Sequence, residues 1–398
     1  MRISTNMIFQ RGTNGMLDQQ AKVSQTQLQL SSGKKIVTPS DNPTAATQIL
    51  QLQKSIDISN TYQINIGYSQ ASLSTEESVL SNGNDLLQRI RVLAVQAKNA
   101  VVTSTDMKSI AQEVQQDLNG LVALANSQDG SGNYLFAGNR TSTTPFSQKG
   151  GTFSYAGDQA QRSLQIGADR QVAISDSGYD VFQKIRNGNG TFVTSYSTAN
   201  TGAGVIDTGQ VTDPAAWVPD TYTLTFLTPT SYELRDSSSA LITSGTYQSD
   251  APISFNGVQV TVSGTPAAGD SYTIAPSLNQ DLFTTVQKLV NALNSGAVDP
   301  STRAKYNSDV GQFLASIDQS MNHIDNVRAS IGARLNSIDN QKAANGDLVT
   351  ASQTALSSLQ DLDYAEAATR LSQQMLILQA AQQSFVKMQN LSLFNYIQ

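Results

Sequence analysis

The longest periodic signal begins at Asp41-Asn42-Pro43, where Asp41 or Asn42 can cap a helix and Pro43 suits its first position. From there Ala45, Leu52, Ser59, Ile66, Leu73, Leu80, Leu87, Ala94 and Val101 recur every seven residues without an interrupting proline. A second row starts apolar at Ile49 and Ile56, then turns polar at Gln63, Gln70 and Glu77, while Val79, Leu86 and Leu93 widen the stripe. The spacing predicts a helix of roughly 85 Å at about 1.5 Å per residue. No compact domain surrounds such a rod, so it needs a long helical partner. Val310, Ile317, Ile324, Ile331 and Ile338 supply one, with Leu314, Met321 and Leu335 in a second row that Arg328 interrupts, and Val349, Leu356 and Leu359 beyond. Matched heptad rods at opposite ends of a chain predict an antiparallel bundle.

Ser104-Thr105-Asp106 predicts the cap of a shorter helix carrying Ile110, Val114, Leu118, Leu121 and Ala125. After a break at 359–363, Asp363 and Glu366 form a capping-box-like pair for a last helix with Ala368, Leu371, Met375, Leu378 and Phe385 on one face. At the other end Met16, Val23 and Leu30 recur every seven residues, flanked by Leu17, Ala21 and Leu28, and stop at Gly33. These two terminal stripes are thin and have no clear partner except each other or further copies of the chain.

Between the helical ends the texture changes to Thr, Ser, Tyr, Gly and Val. Thr152–Tyr155 and Ser163–Ile166 read as a hairpin, and Gln171–Ile174 as an added strand. Short alternating runs follow at 221–227, 231–234, 253–255, 258–262 and 272–274, with turns at Asn256-Gly257 and Gly269-Asp270. The expected fold class is mainly α with inserted β: a long antiparallel helical rod or bundle from both chain ends plus a small β-rich outer domain. The expected divisions are terminal helices at 1–35 and 364–398, a rod at 36–176 and 278–363 with a β-hairpin, and an inserted domain at 177–277.

Composition narrows the chemistry. The 398 residues include no Cys and one His, which excludes disulfides, thiolate catalysis and multi-His metal sites. A net charge of −6 argues against a nucleic-acid partner, and no apolar run predicts membrane insertion. Only 14% of residues are charged, and Gln-rich, low-charge helices pack against identical copies with little repulsion. His323 sits in a heptad helix without convergent partners. Asp129-Gly130-Ser131-Gly132-Asn133 lacks the glycine and distal glutamate of a calcium loop and reads as a polar turn. Asp361 and Asp363 flank a helix start, where capping accounts for them. The expectation is a protein without catalytic residue, cofactor or metal. Its working surface would be an assembly interface of Met16, Val23, Leu30, Leu371, Met375, Leu378, Phe385, Leu391 and Leu393.

Specific strings point to a family. Ser31-Ser32-Gly33-Lys34-Lys35-Ile36 followed by Pro39-Ser40-Asp41-Asn42-Pro43 resembles the N-terminal signature of the flagellin superfamily, in the two-proline form of its junction-type members. The segments 86–97 (LLQRIRVLAVQA) and 361–367 (DLDYAEA) are superfamily strings, while 132–138 (GNYLFAG) and the ending 391–397 (LSLFNYI) are similar to the junction type. The resemblance covers 1–175 and 280–398. It implies terminal helices lining an axial tube, a rod outside them and a variable outer domain. It also implies export through the flagellar type III apparatus without a cleaved signal, to an extracellular place in the bacterial flagellum. The implied partners are further copies of the chain in a ring, flagellin, the hook-side junction protein and a flagellar export chaperone that binds the C-terminal helix. Two rival readings stand beside this one: a flagellin-type filament subunit, and a surface glycan-binding or enzymatic protein using 177–277. For the latter, Trp217, Tyr222, Tyr232 and Tyr247 would form a sugar-stacking platform.

Overall fold

The computed structural model describes residues 5–99, 103–296 and 299–390. Helix α1 spans Thr5–Ser32, α2 Pro43–Ala97 and α3 Ser104–Ala125. A β-rich stretch follows, and the chain then returns to α4 (Leu282–Asn294), α5 (Pro300–Gln360) and α6 (Tyr364–Asn390). The fold is mainly α with a β-rich central region, as the periodicities require. The chain divides into two compact units, residues 1–64 with 340–398 and residues 65–339.

In the second unit the two heptad ladders share one core. Ile66, Leu73, Leu80, Leu87 and Ala94 of α2 are buried there with Val310, Ile317, Ile324, Ile331 and Ile338 of α5. Each such Leu, Ile or Val side chain contributes about 1.5–3 kcal/mol when fully removed from water. The polar row of α2 is the flank of this seam. Gln70 donates to Asp339 at 2.6 Å, Arg328 donates to Glu77 at 2.8 Å, Asn84 donates to Asp325 at 3.2 Å, and Arg91 donates to Asp318 at 2.7 Å. Partners climb α2 as they descend α5, so the helices run antiparallel in one register.

The cap of α3 is one residue earlier than expected. The Thr103 side chain accepts from the Asp106 amide, and Asp106 returns the bond to the Thr103 amide. Helix α4 is an element the sequence reading lacks. Its stripe of Leu282, Phe283, Val286, Leu289, Val290 and Leu293 is buried, and it packs on α3. Asp281 caps it, accepting from the Thr284 amide at 2.7 Å.

The hairpin expectation needs correction. Strands β1 (Phe146–Lys149) and β2 (Thr152–Tyr155) pair with each other, and β3 (Ser163–Gly167) pairs with β4 (Arg170–Ala173). The missed signal is Gly150-Gly151, both at positive φ (+61° and +82°), the pair a tight two-residue hairpin turn requires. A π-helical turn, Tyr179–Gln183, precedes β5 (Ile185–Arg186). Next come β6 (Phe192–Tyr196), β7 (Val205–Ile206), β8 (Gln210–Val211), β9 (Tyr222–Thr228) and β10 (Ser231–Arg235). The last strands are β11 (Leu241–Thr246), β12 (Pro252–Phe255), β13 (Val258–Ser263), β14 (Ser271–Pro276) and β15 (Asn279–Gln280). One sheet has the order β11-β10-β9-β14-β6; a second joins β12, β13 and β7, with β8 also on β13. Their inner faces share a separate hydrophobic cluster that includes Phe192, Tyr222, Leu224, Phe226, Val260 and Ile274.

Candidate assembly surface

Unit one is built around two breaks in the helices. At Gly33 the backbone turns left-handed (φ +68°), ending α1, and a Cβ there would lie 2.7 Å from the Tyr364 hydroxyl. The Lys35 amide donates to the Gln360 carbonyl at 2.7 Å, and the Leu362 amide donates to the Gly33 carbonyl at 3.1 Å. The α1–α2 link is thereby stitched to the α5–α6 link. Asp41 organises the first link. Its carboxylate accepts from the amides of Thr38 (2.9 Å) and Val37 (3.0 Å) and from the Gln25 side chain (2.9 Å). Those amides, Thr38 first, hold its pKa below the ordinary aspartate value. Asn42 caps α2 through the Ala45 amide at 3.1 Å. Asp363 caps α6 through the amides of Ala365 (2.9 Å) and Glu366 (3.1 Å). Glu366 does not complete a capping box; it pairs with Arg370 at 3.0 Å.

From these breaks α1 and α6 pack on each other. The seam mixes apolar and amide contacts. Val23, Thr26, Gln29 and Ala367 are buried. The Thr26 hydroxyl donates to Gln374 Oε1 at 2.8 Å, and the Gln19 amide nitrogen donates to the Gln374 carbonyl at 3.1 Å. Toward the far end Phe9 and Phe385 meet edge to face at 5.9 Å.

The expected interface residues fall into four groups. Met16, Leu378 and Phe385 line one cleft of about 280 Å³ between α1 and α6. Val23 is buried, while Leu30 and Leu371 are half-buried. Met375 is exposed, and Leu391 and Leu393 lie outside the described residues. Further exposed apolar residues lie outside the expected interface: Met7 and Ile8 on α1, and Leu376 (68% exposed) and Ile377 on α6; Leu17 and Leu28, the flanks of the α1 stripe, are exposed too, and Leu17 and Val386 border the same cleft. The signal was present in Met375-Leu376-Ile377-Leu378, since four consecutive apolar residues cover every side of a helix and cannot all face one neighbour.

The other candidates have local duties. His323 Nε2 lies 2.6 Å from the Asp180 carbonyl on the rim of α5. Asp129 accepts from the amides of Ser131 (2.8 Å) and Asn133 (3.0 Å), a polar turn. The aromatic platform does not form. Trp217 packs at 5.6 Å from Phe192 and 5.8 Å from Tyr222, and Tyr247 packs at 5.0 Å from Phe226, all within the β core. Among the described residues there is no cluster of potential metal ligands and no helix long and apolar enough to cross a membrane.

Comparison with known proteins agrees with this architecture. The bacterial flagellin N-terminal helical region matches residues 3–141, and the bacterial flagellin C-terminal helical region matches residues 314–397. Residues 195–276 match the D2-like domain of flagellar hook-associated protein 1. Paired helical ends around a β-rich centre thus define a flagellin-type protein. Two solved structures are more specific. Flagellar hook-associated protein 3 from Legionella pneumophila is 34% identical with a TM-score of 0.76, over 78% of this chain and 98% of that one. FlgL from Xanthomonas campestris is 33% identical with a TM-score of 0.73, over 77% and 99%. Flagellar hook-associated protein 3 of Escherichia coli is 35% identical over 185 residues, 46% of this chain and 58% of that protein. The match therefore spans little more than half the length of that curated relative. The chain belongs to the flagellar hook-associated protein 3 family of the flagellin superfamily.

Proposed function

We propose that the chain is a non-enzymatic structural adaptor that joins the hook side of a bacterial flagellum to its filament. Copies assemble into a ring through α1 and α6. The observation that carries this reading is the outward apolar set on a helix pair whose own seam is partly polar. Leu376, Ile377, Leu17 and Leu28 stand in water on helices that already have an intramolecular partner. Apolar side chains so arranged gain from burial against a further copy. The same faces would meet flagellin on one side and the hook-side junction protein on the other. Before assembly the apolar face of α6 would be covered by an export chaperone, and the finished protein would be extracellular. The working parts are shapes and surfaces, with no chemical step.

The test is a strain carrying Leu376→Asp and Ile377→Asp. An exported but unassembled variant, with filaments missing and flagellin free in the medium, supports the role. A filament subunit would instead be present in thousands of copies along the filament, so copy number per flagellum separates the two.

A further inference from the structure

Two carboxylates are buried in unit two beside one guanidinium. Glu76, on α2, is 1% exposed and Asp176 is 6% exposed. Asp176 lies in the segment 174–178 that leads from β4 into the π-helical turn. Its carboxylate pairs with Arg334 of α5 and accepts from the Gln161 side chain at 2.6 Å. Glu76 Oε1 accepts from the Asp176 amide at 3.1 Å, while Glu76 Oε2 is buried without a hydrogen-bond partner. One turn earlier on α2 the Ser72 hydroxyl donates to the Ile174 carbonyl at 2.8 Å. The segment is therefore strapped to α2 at Ser72 and Glu76 and to α5 at Arg334.

The charges do not balance if both acids ionise. The groups facing Glu76 are Asp176 from the strap and Arg334 from α5; Glu77, its neighbour on α2, is taken up by Arg328. Arg334 neutralises Asp176, so a second negative charge would be buried uncompensated, with one oxygen unsolvated.

We propose that segment 174–178 is a proton-controlled latch, held between α2 and α5 while Glu76 is neutral and loosened when Glu76 ionises. Burial, then repulsion from Asp176, pushes the Glu76 carboxyl well above its ordinary value, so the neutral form persists well past the normal glutamate range. The direction follows from linkage. The closed state binds the proton more tightly than the open one, so closure is complete at acidic pH and is lost as pH rises through the Glu76 titration. The strap is the chain's route from the β3–β4 hairpin through the π-helical turn toward the two larger sheets. The latch therefore sets how firmly that route is anchored, whatever the protein assembles with.

Hydrogen exchange of the full chain across pH 5.5–8.5, corrected for intrinsic rates, tests this. As pH rises from the ordinary glutamate range toward the raised Glu76 titration, protection of peptides covering 174–178 should fall by up to about tenfold per pH unit and level off beyond it, while peptides from the α2–α5 core keep theirs. Glu76→Gln should abolish that slope and leave the strap protected throughout. Asp176→Asn removes the repulsion and frees Arg334 to stabilise ionised Glu76, so the slope should end at a lower pH than in the wild type. A wild-type strap with flat protection, an unchanged slope in Glu76→Gln, or the same slope across all of unit two would overturn the proposal.

Discussion

Arg328 on α5 donates to a single oxygen of Glu77 on α2, through Nη2 at 2.8 Å and Nε at 3.0 Å. Each is a polar interruption of a heptad row, and the structure sets the two interruptions against each other. Both side chains are about one-third exposed, so the pair is neither a freely solvated surface bridge nor a fully buried one. Its clearest role is register. Sliding α5 by one heptad would set Glu77 against an apolar position and leave its charge unpaired, while Arg328 would keep only Asp325 of its own helix.

A double-mutant cycle reads this directly. Arg328→Ala and Glu77→Ala should each lower stability in urea by about 1–2 kcal/mol, with a coupling of roughly 1 kcal/mol between them. Additive effects would remove the pair from the account of register.

Phe283 tests the unexpected helix. Its ring packs at 5.0 Å from Phe146, 5.4 Å from Phe153 and 5.7 Å from Phe182, and it is fully buried. Phe283→Ala should cost about 3–5 kcal/mol and release β1 and β2 along with α4. A melting temperature close to wild type would mean that α4 is dispensable to this core.

Gly33 tests the stitched break in unit one. Alanine would have to hold a left-handed backbone and would meet the Tyr364 hydroxyl. Gly33→Ala should cost about 1–2 kcal/mol. Exchange should rise in α1 and α6, while the α2–α5 core of unit two stays protected. Unchanged protection of α1 would show that the link tolerates another path.

The parts of this fold written in periodicity were legible. Ile66 through Ala94 and Val310 through Ile338 announced two rods that bury one stripe each, and Gly33, Asn42 and Asp363 marked where helices stop and start. What escaped notice had short or divided signals. Helix α4 is 13 residues long, and its run from Leu282 to Leu293 sits directly after a strand-rich stretch. Pairing of β1 with β2 depended on Gly150-Gly151, a turn signal stronger than the spacing of the strands. In the terminal helices a seven-residue row picks out the side facing the intramolecular partner. That is why Met16, Leu378 and Phe385 proved to line the α1–α6 cleft while Leu376 and Ile377 stood outside it.

The outward face of α6 is the centre of the account, and a paired measurement on Leu376→Asp tests it most directly. The first half is the melting temperature of the purified monomer; the second is incorporation of the exported variant at the hook tip. Leu376 is exposed and touches no core, so monomer stability should change by less than about 0.5 kcal/mol. Once packed against a second copy, the carboxylate would be buried unpaired at a cost of several kcal/mol per subunit. The account therefore predicts an unchanged melting temperature, normal export and no assembly at the hook tip. Normal filaments on cells making only Leu376→Asp would contradict it.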